Sequence, residues 1–152
     1  MQSQTTFETA RGISAVDAQK GFSLIVVRGI GDDRERLSEA LEAIKNASLS
    51  ADFLKVGAAQ FSFLVKEEHQ QAAVDALTAE GFDASHHRSK AVIKVSSPNV
   101  RDESGLMARI CQIVLESGAT IYNVGDMHDG VQVVVQSEKS DATCEALRGC
   151  IL

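Results

Sequence analysis

The 152-residue chain carries few side chains able to do covalent chemistry, and their spacing limits what they could do. His86 and His87 are adjacent in a β-rich run, "DASHHR". Neighbouring strand residues point to opposite faces, so the two imidazoles cannot grip one metal ion together. His128 lies in a turn with Asp126 and Asp129. That combination can attract a divalent cation, but polar turns also carry these residues for conformational reasons alone. Cys111, Cys144 and Cys150 have no CxxC spacing and fall in helical patterns, which indicates packing rather than a disulfide framework or a zinc site. The sequence contains no glycine-rich phosphate loop, no nucleophile elbow and no HExxH helix. A small enzyme using His86, His87 or His128 with a carboxylate is the remaining catalytic reading. No metal and no cofactor is expected.

The elements that position these residues repeat. Laying Leu37 over Leu106 also aligns Leu41 with Ile110 and Ile44 with Ile113, a period of about seventy residues. Each copy opens with a β-rich run, residues 22–29 and 91–97, followed by helical periodicity. The apolar stripes are Leu37, Ala40, Leu41 and Ile44 in one helix and Leu106, Ile110, Ile113 and Val114 in the other. Asp32 and Asp33 precede the first stripe, where the helix dipole favours acids; Ser104 and Gly105 precede the second. Hairpin strands follow at 51–56 with 60–65, and at 120–124 with 131–135. A second helix closes each copy, with residues 65–71 as a solvated start in the first and Ser140 as N-cap in the second. Residues 83–88 supply a fourth strand to the first copy only.

The expected fold class is α+β: two ferredoxin-like (βαββαβ) units in tandem, each with an antiparallel sheet and both helices on one face. The second copy lacks one strand, which leaves a sheet edge open. Residues 10–17, with Ile13 to Val16 at their centre, are expected to cross over and fill it. The resulting division is a disordered 1–9, a strand over 10–17, a first unit over 18–89 and a second over 90–152.

Twenty-one acidic against fifteen basic residues give a net charge of −6, which argues against nucleic acid and against a polybasic membrane anchor. No apolar run approaches the roughly 20 residues of a membrane span, and the N-terminal residues lack a signal-peptide pattern, so a cytoplasmic protein is expected.

The order and spacing of "RGISAVDAQKGFSLIVVRGIGD", "AVIKVSS", "SGLMARI" and "LESGATIYNV" resemble a pair of ACT domains, more narrowly the regulatory region or small regulatory subunit of aspartate kinase. The resemblance covers nearly the whole chain. It implies an amino-acid sensor with no catalytic site of its own, with lysine or threonine as effector, an aspartate kinase catalytic domain or subunit as partner, and a homodimer formed through ACT units. The family's opening strand belongs to its second sheet, in agreement with the edge argument. Asp32 matches the family's loop aspartate, with Gly31 and Asp33 beside it, and Gly105 lines up with the loop glycine after Asp102, Glu103 and Ser104. Amide groups at such helix starts suit a ligand carboxylate, and an acid nearby suits its ammonium. Val56 occupies a strand end that is polar in the family, and Tyr122 and Asn123 are placed to line an interface between units. Gly125 to His128 replace a Ser-Thr-Ser-Glu stretch, and Asp33-Arg34-Glu35 replace Lys-Pro-Gly. These differences leave a second reading, an ACT-type dimerisation scaffold that binds no ligand.

Overall fold

The computed structural model describes residues 12–98 and 104–150. Eleven elements follow in order: β1 (Ala15–Arg28), α1 (Arg34–Asn46), β2 (Asp52–Val56), β3 (Gln60–Lys66), a 3-10 turn (Glu67–His69), α2 (Gln70–Ala79), β4 (Asp83–Ser96), α3 (Leu106–Glu116), β5 (Asn123–Met127), β6 (Gly130–Gln136) and α4 (Ser137–Arg148). The fold is α+β; among the described residues there are four α-helices and a six-stranded antiparallel sheet in the order β2-β3-β1-β4-β6-β5.

Two long strands replace four short ones. Residues 15–17 of the expected opening strand and residues 22–28 of the next run are one strand, β1, and residues 83–88 and 91–96 fall on one strand, β4. The polar stretches Gln19-Lys20-Gly21 and His86 to Lys90 read as breaks in the hydropathy pattern. Neither breaks the strand, because Gly21 (φ 87°) and Ser89 (φ 56°) take up the irregularity as left-handed residues within it.

By internal contacts the chain divides into a continuous unit, residues 21–90, and a split unit, residues 1–20 with 91–152. In the continuous unit, Ile25 and Val27 of β1, Phe61, Phe63 and Val65 of β3, Ala40 and Ile44 of α1, and Ala73 and Leu77 of α2 form one core. Phe61 and Phe63 stack with centroids 6.1 Å apart. Burying each large side chain contributes roughly 1.5–3 kcal/mol. Leu41 departs from the expected stripe and is 37% exposed. At 100° per residue it lies about 40° outside Leu37, on the opposite side from Ala40 and Ile44, at the rim of the buried arc.

The split unit has its own core. Ile13 and Val16 are buried there with Ala91, Ile93, Val95, Ile110, Val114, Val133, Val135 and Leu147. The Ser14 amide donates to the Ser96 carbonyl (2.8 Å), Ser97 Oγ to the Gly12 carbonyl (2.8 Å), and Arg148 Nη2 to the Val16 carbonyl (2.9 Å). The segments expected at 1–9 and at residues 10 and 11 lie outside the described residues.

Three boundaries differ from the pattern-based expectation. Strand β5 starts at Asn123 rather than at residue 120, because the pair Met127↔Gly130 closes a tight turn over His128 and Asp129 and draws Gly125 to Met127 into the ladder. Ser140 does not cap α4. The helix starts three residues earlier, straight out of β6, and Ser140 is buried with its hydroxyl donating to the Ser137 carbonyl at 2.7 Å. Val65 and Lys66 finish β3, so the solvated start of the first unit's second helix begins with the 3-10 turn instead.

Candidate functional site

Strand β1 ends at Arg28, and the chain turns through Gly29 and Gly31, both at positive φ, into α1. Buried Ile30 anchors this turn to the core, and the Asp33 amide donates to its carbonyl at 3.2 Å. The Asp33 carboxylate accepts from the amides of Glu35 and Arg36, both at 3.1 Å, so it is the N-cap of α1. Two of the amides that could meet a ligand carboxylate are thereby occupied. Asp32 beside it is exposed, as is Gly31. Arg36 pins the helix start to the turn after α2: its guanidinium lies 3.9 Å from the centroid of the Phe82 ring and donates to the Gly81 carbonyl at 3.4 Å.

The register brings Val56 to the same end of the continuous unit. Arg28 pairs with Gln60, and Val56 pairs with the next residue, Phe61. The turn at 29–33 and the β2–β3 turn therefore leave the sheet side by side. Val56 is 58% exposed and Leu54, two residues back on the same edge strand, is 43% exposed. This end thus presents an acid, a helix start and an apolar strand edge.

In the split unit Gly105 (φ 79°) is the N-cap of α3 and supplies no side-chain bond; a Cβ built there meets nothing within 4 Å. Ser104 is exposed beside it. Asp102 and Glu103 lie outside the described residues. After β4 the Ser97 amide donates to the Asp129 carbonyl of the β5–β6 turn at 2.7 Å. Tyr122 and Asn123 sit at the other end: Asn123 pairs with Val134, four ladder positions from the turn, about 13 Å at strand rise. The residues at the strand end corresponding to Val56 are Asp126 and Met127, which a hydropathy pattern ending the strand at residue 124 left in the turn.

The histidines are dispersed. His87 Nε2 lies 3.4 Å from Ser85 Oγ, which accepts from Arg28 Nη1 at 3.4 Å. Burial first, then the cations Lys90 and Arg28 and neighbouring His86, lower its pKa below the usual imidazole value. Among the described residues no group of three or more His, Cys, Asp or Glu side chains is arranged to hold a metal ion. Burial raises the pKa of the Cys111 and Cys144 thiols, whereas Cys150, expected to pack, is exposed at the end of α4. No helix in the described residues is long and apolar enough to cross a membrane.

No protein-family model matches the sequence, and no curated protein matches it. Its fold is shared with solved structures. The regulatory subunit of aspartate kinase from Thermus flavus superposes with a TM-score of 0.84 at 19% identity, covering 91% of this chain and 98% of that one. A structure of aspartokinase alpha and beta subunits gives 0.82 at 19% identity, covering 91% and 97%. A putative C-terminal regulatory domain of aspartate kinase from Porphyromonas gingivalis W83 gives 0.71 at 17% identity, covering 91% and 96%. The chain thus has the fold of aspartate kinase regulatory subunits and domains over nearly the full length of both.

Proposed function

We propose that this chain is an amino-acid-sensing regulatory module of the aspartate kinase type, made of two ACT-type ferredoxin-like units in tandem. In this reading residues 18–89 form the first unit, residues 90–152 the second, and residues 10–17 complete the second unit's sheet. The observation that carries it is the two-way coverage: regulatory subunits of 97–98% matching length share the fold, not merely a domain of it. The Clostridium acetobutylicum aspartate kinase matches over only 34% of its length, so a catalytic domain or subunit would be the partner that responds.

Lysine or threonine is the proposed effector. Its carboxylate would meet amides at a helix start, and Asp32 would take its ammonium, with Gly31 allowing close approach. Asp33 contributes by fixing the helix start, since its carboxylate is already spent on Glu35 and Arg36. Gly105, with Ser104, offers a second helix start that no side chain of the cap residue closes. Binding would shift the kinase only through its differential affinity for two arrangements, typically 1–3 kcal/mol. Two copies would pair through an ACT unit edge.

Thermal unfolding with each of the twenty amino acids at millimolar concentration tests this. A ligand at a hundred times its Kd adds about 2.7 kcal/mol, several degrees in a chain of this size. A selective rise with lysine or threonine, lost in Asp32→Ala, is the expected result. A flat panel from a folded dimer would instead establish the scaffold reading, which apolar Val56 and the spent Asp33 favour.

A further inference from the structure

Within the continuous unit a concave space of about 190 Å³ is lined by Ser48, Leu49, Ser50, Asp52, Lys66 and His69. It lies at the far end of β3 from the Asp32 turn: Gln60 and Lys66 close the two ends of that strand, six residues or about 20 Å apart at strand rise. The volume equals about six waters at ~30 Å³ each, room for a small molecule and not for a nucleotide. Its two fixed charges are opposite. Asp52 pairs with Leu64, and Lys66 lies two residues further along β3, so the two occupy diagonal positions with backbones roughly 7–8 Å apart. Among the described residues neither side chain has an ion-pair partner.

The split unit treats the same positions differently. Its α3 and β6 end at Glu116 and Gln136, each seventy residues beyond the ends of α1 and β3. There the groups meet one another: Gln136 Oε1 accepts from the Thr120 amide at 2.8 Å, and Lys139 Nζ lies 3.9 Å from where a Cβ on Gly118 would sit. In the continuous unit the matching residues are Lys66, Ser50, His69 and Ser48, and all four line the concave space instead. Ser48 (φ 55°) and Gly118 (φ 91°) both leave their helix in the left-handed conformation. Glycine takes that conformation freely and serine does not. Serine at this position is the harder choice for the backbone, and it places a hydroxyl at the site.

We propose that this space binds a small zwitterion, its carboxylate held by Lys66 with the Ser48 and Ser50 hydroxyls and its ammonium held by Asp52. The charges decide the class of ligand. An anion alone would meet the Asp52 carboxylate and a cation alone would meet Lys66, whereas a molecule carrying both signs offsets both. His69, with Nε2 3.4 Å from Glu68 Oε1, forms one wall. The site is separate from the proposed effector loop and does not depend on Asp32.

Amide chemical shifts of the full chain, titrated with L-alanine, propionate and ethylamine at high millimolar concentration, test this. L-alanine should move residues 48–52 and 66–69, and each single-charge analogue should bind on the order of tenfold more weakly, as befits loss of a bond between charged groups. Lys66→Gln and Ser48→Gly carry over residue types that the split unit already uses, so both variants should fold. Lys66→Gln should weaken L-alanine binding on the order of tenfold. Ser48→Gly should weaken it less while raising the denaturation midpoint. Asp32→Ala should leave these shifts unchanged, which separates this site from the effector loop. No shift at residues 48–52 and 66–69, an equal response to propionate or ethylamine, or binding indifferent to Lys66→Gln would each overturn the proposal. A response confined to residues 29–36 and lost in Asp32→Ala would assign the zwitterion to the effector loop and overturn it as well.

Discussion

Replacing Asp33 by alanine removes the oxygen that holds two amides of α1 and should cost about 1 kcal/mol by chemical denaturation. Replacing exposed Asp32 should leave stability within about 0.5 kcal/mol while abolishing the proposed effector response. The sequence shows both aspartates ahead of an apolar stripe but not which one caps, because that depends on a single φ/ψ pair. Gly130 is a second residue whose role needed coordinates. A Cβ there would come 2.2 Å from the Val95 carbonyl oxygen, so Gly130→Ala should destabilise by at least about 2 kcal/mol. At Gly81, where the surrounding space is open, only the backbone penalty of about 1 kcal/mol applies. His87 gives a signed pH dependence. Its lowered pKa means that the unfolded chain takes up the proton first, so stability falls as pH drops through and below about 6.5. That slope should flatten in His87→Gln, as measured by urea midpoints from pH 7.5 to 5. The effect should be small, because the imidazole is only partly desolvated.

Helix existence was legible because stripes at three- and four-residue steps require a buried face; helix and strand limits were not. Leu41 passes every periodicity test and still lies outside the core, because the arc of α1 that packs centres between Leu37 and Ile44. Leu41→Lys should therefore change stability by less than about 0.5 kcal/mol, whereas Ile44→Ala should cost about 2–4 kcal/mol. Denaturant midpoints of the two variants measure the difference. Strand β5 shifted for a related reason. The apolar run Ile121-Tyr122 looks like a strand, but the two-residue turn at His128-Asp129 fixes the register from the other end. Ser140 illustrates competition between roles: a serine can cap a helix, yet one turn inside α4 it bonds back to the Ser137 carbonyl.

At the scale of the whole molecule the α+β class was visible in the sequence, while the continuity of β1 and β4 was hidden by the polar residues within them. The sheet's two edges, β2 and β5, also differ in a way that bears on assembly. Strand β2 exposes Leu54 and Val56, whereas β5 exposes Asp126, with Gly125 buried beside it. An uncovered edge with apolar side chains is a template for pairing, and charged residues blunt one. The proposed homodimer is therefore expected through β2. In a two-fold interface each substitution counts twice, so losing the burial of one such side chain, about 1.5 kcal/mol per copy, should weaken the dimer on the order of a hundredfold. Leu54→Lys and Val56→Lys should each do this in sedimentation equilibrium, while Asp126→Lys should leave association unchanged. Dimers that survive both β2 substitutions would place self-association elsewhere, and with it the neighbour that the proposed Asp32 site needs.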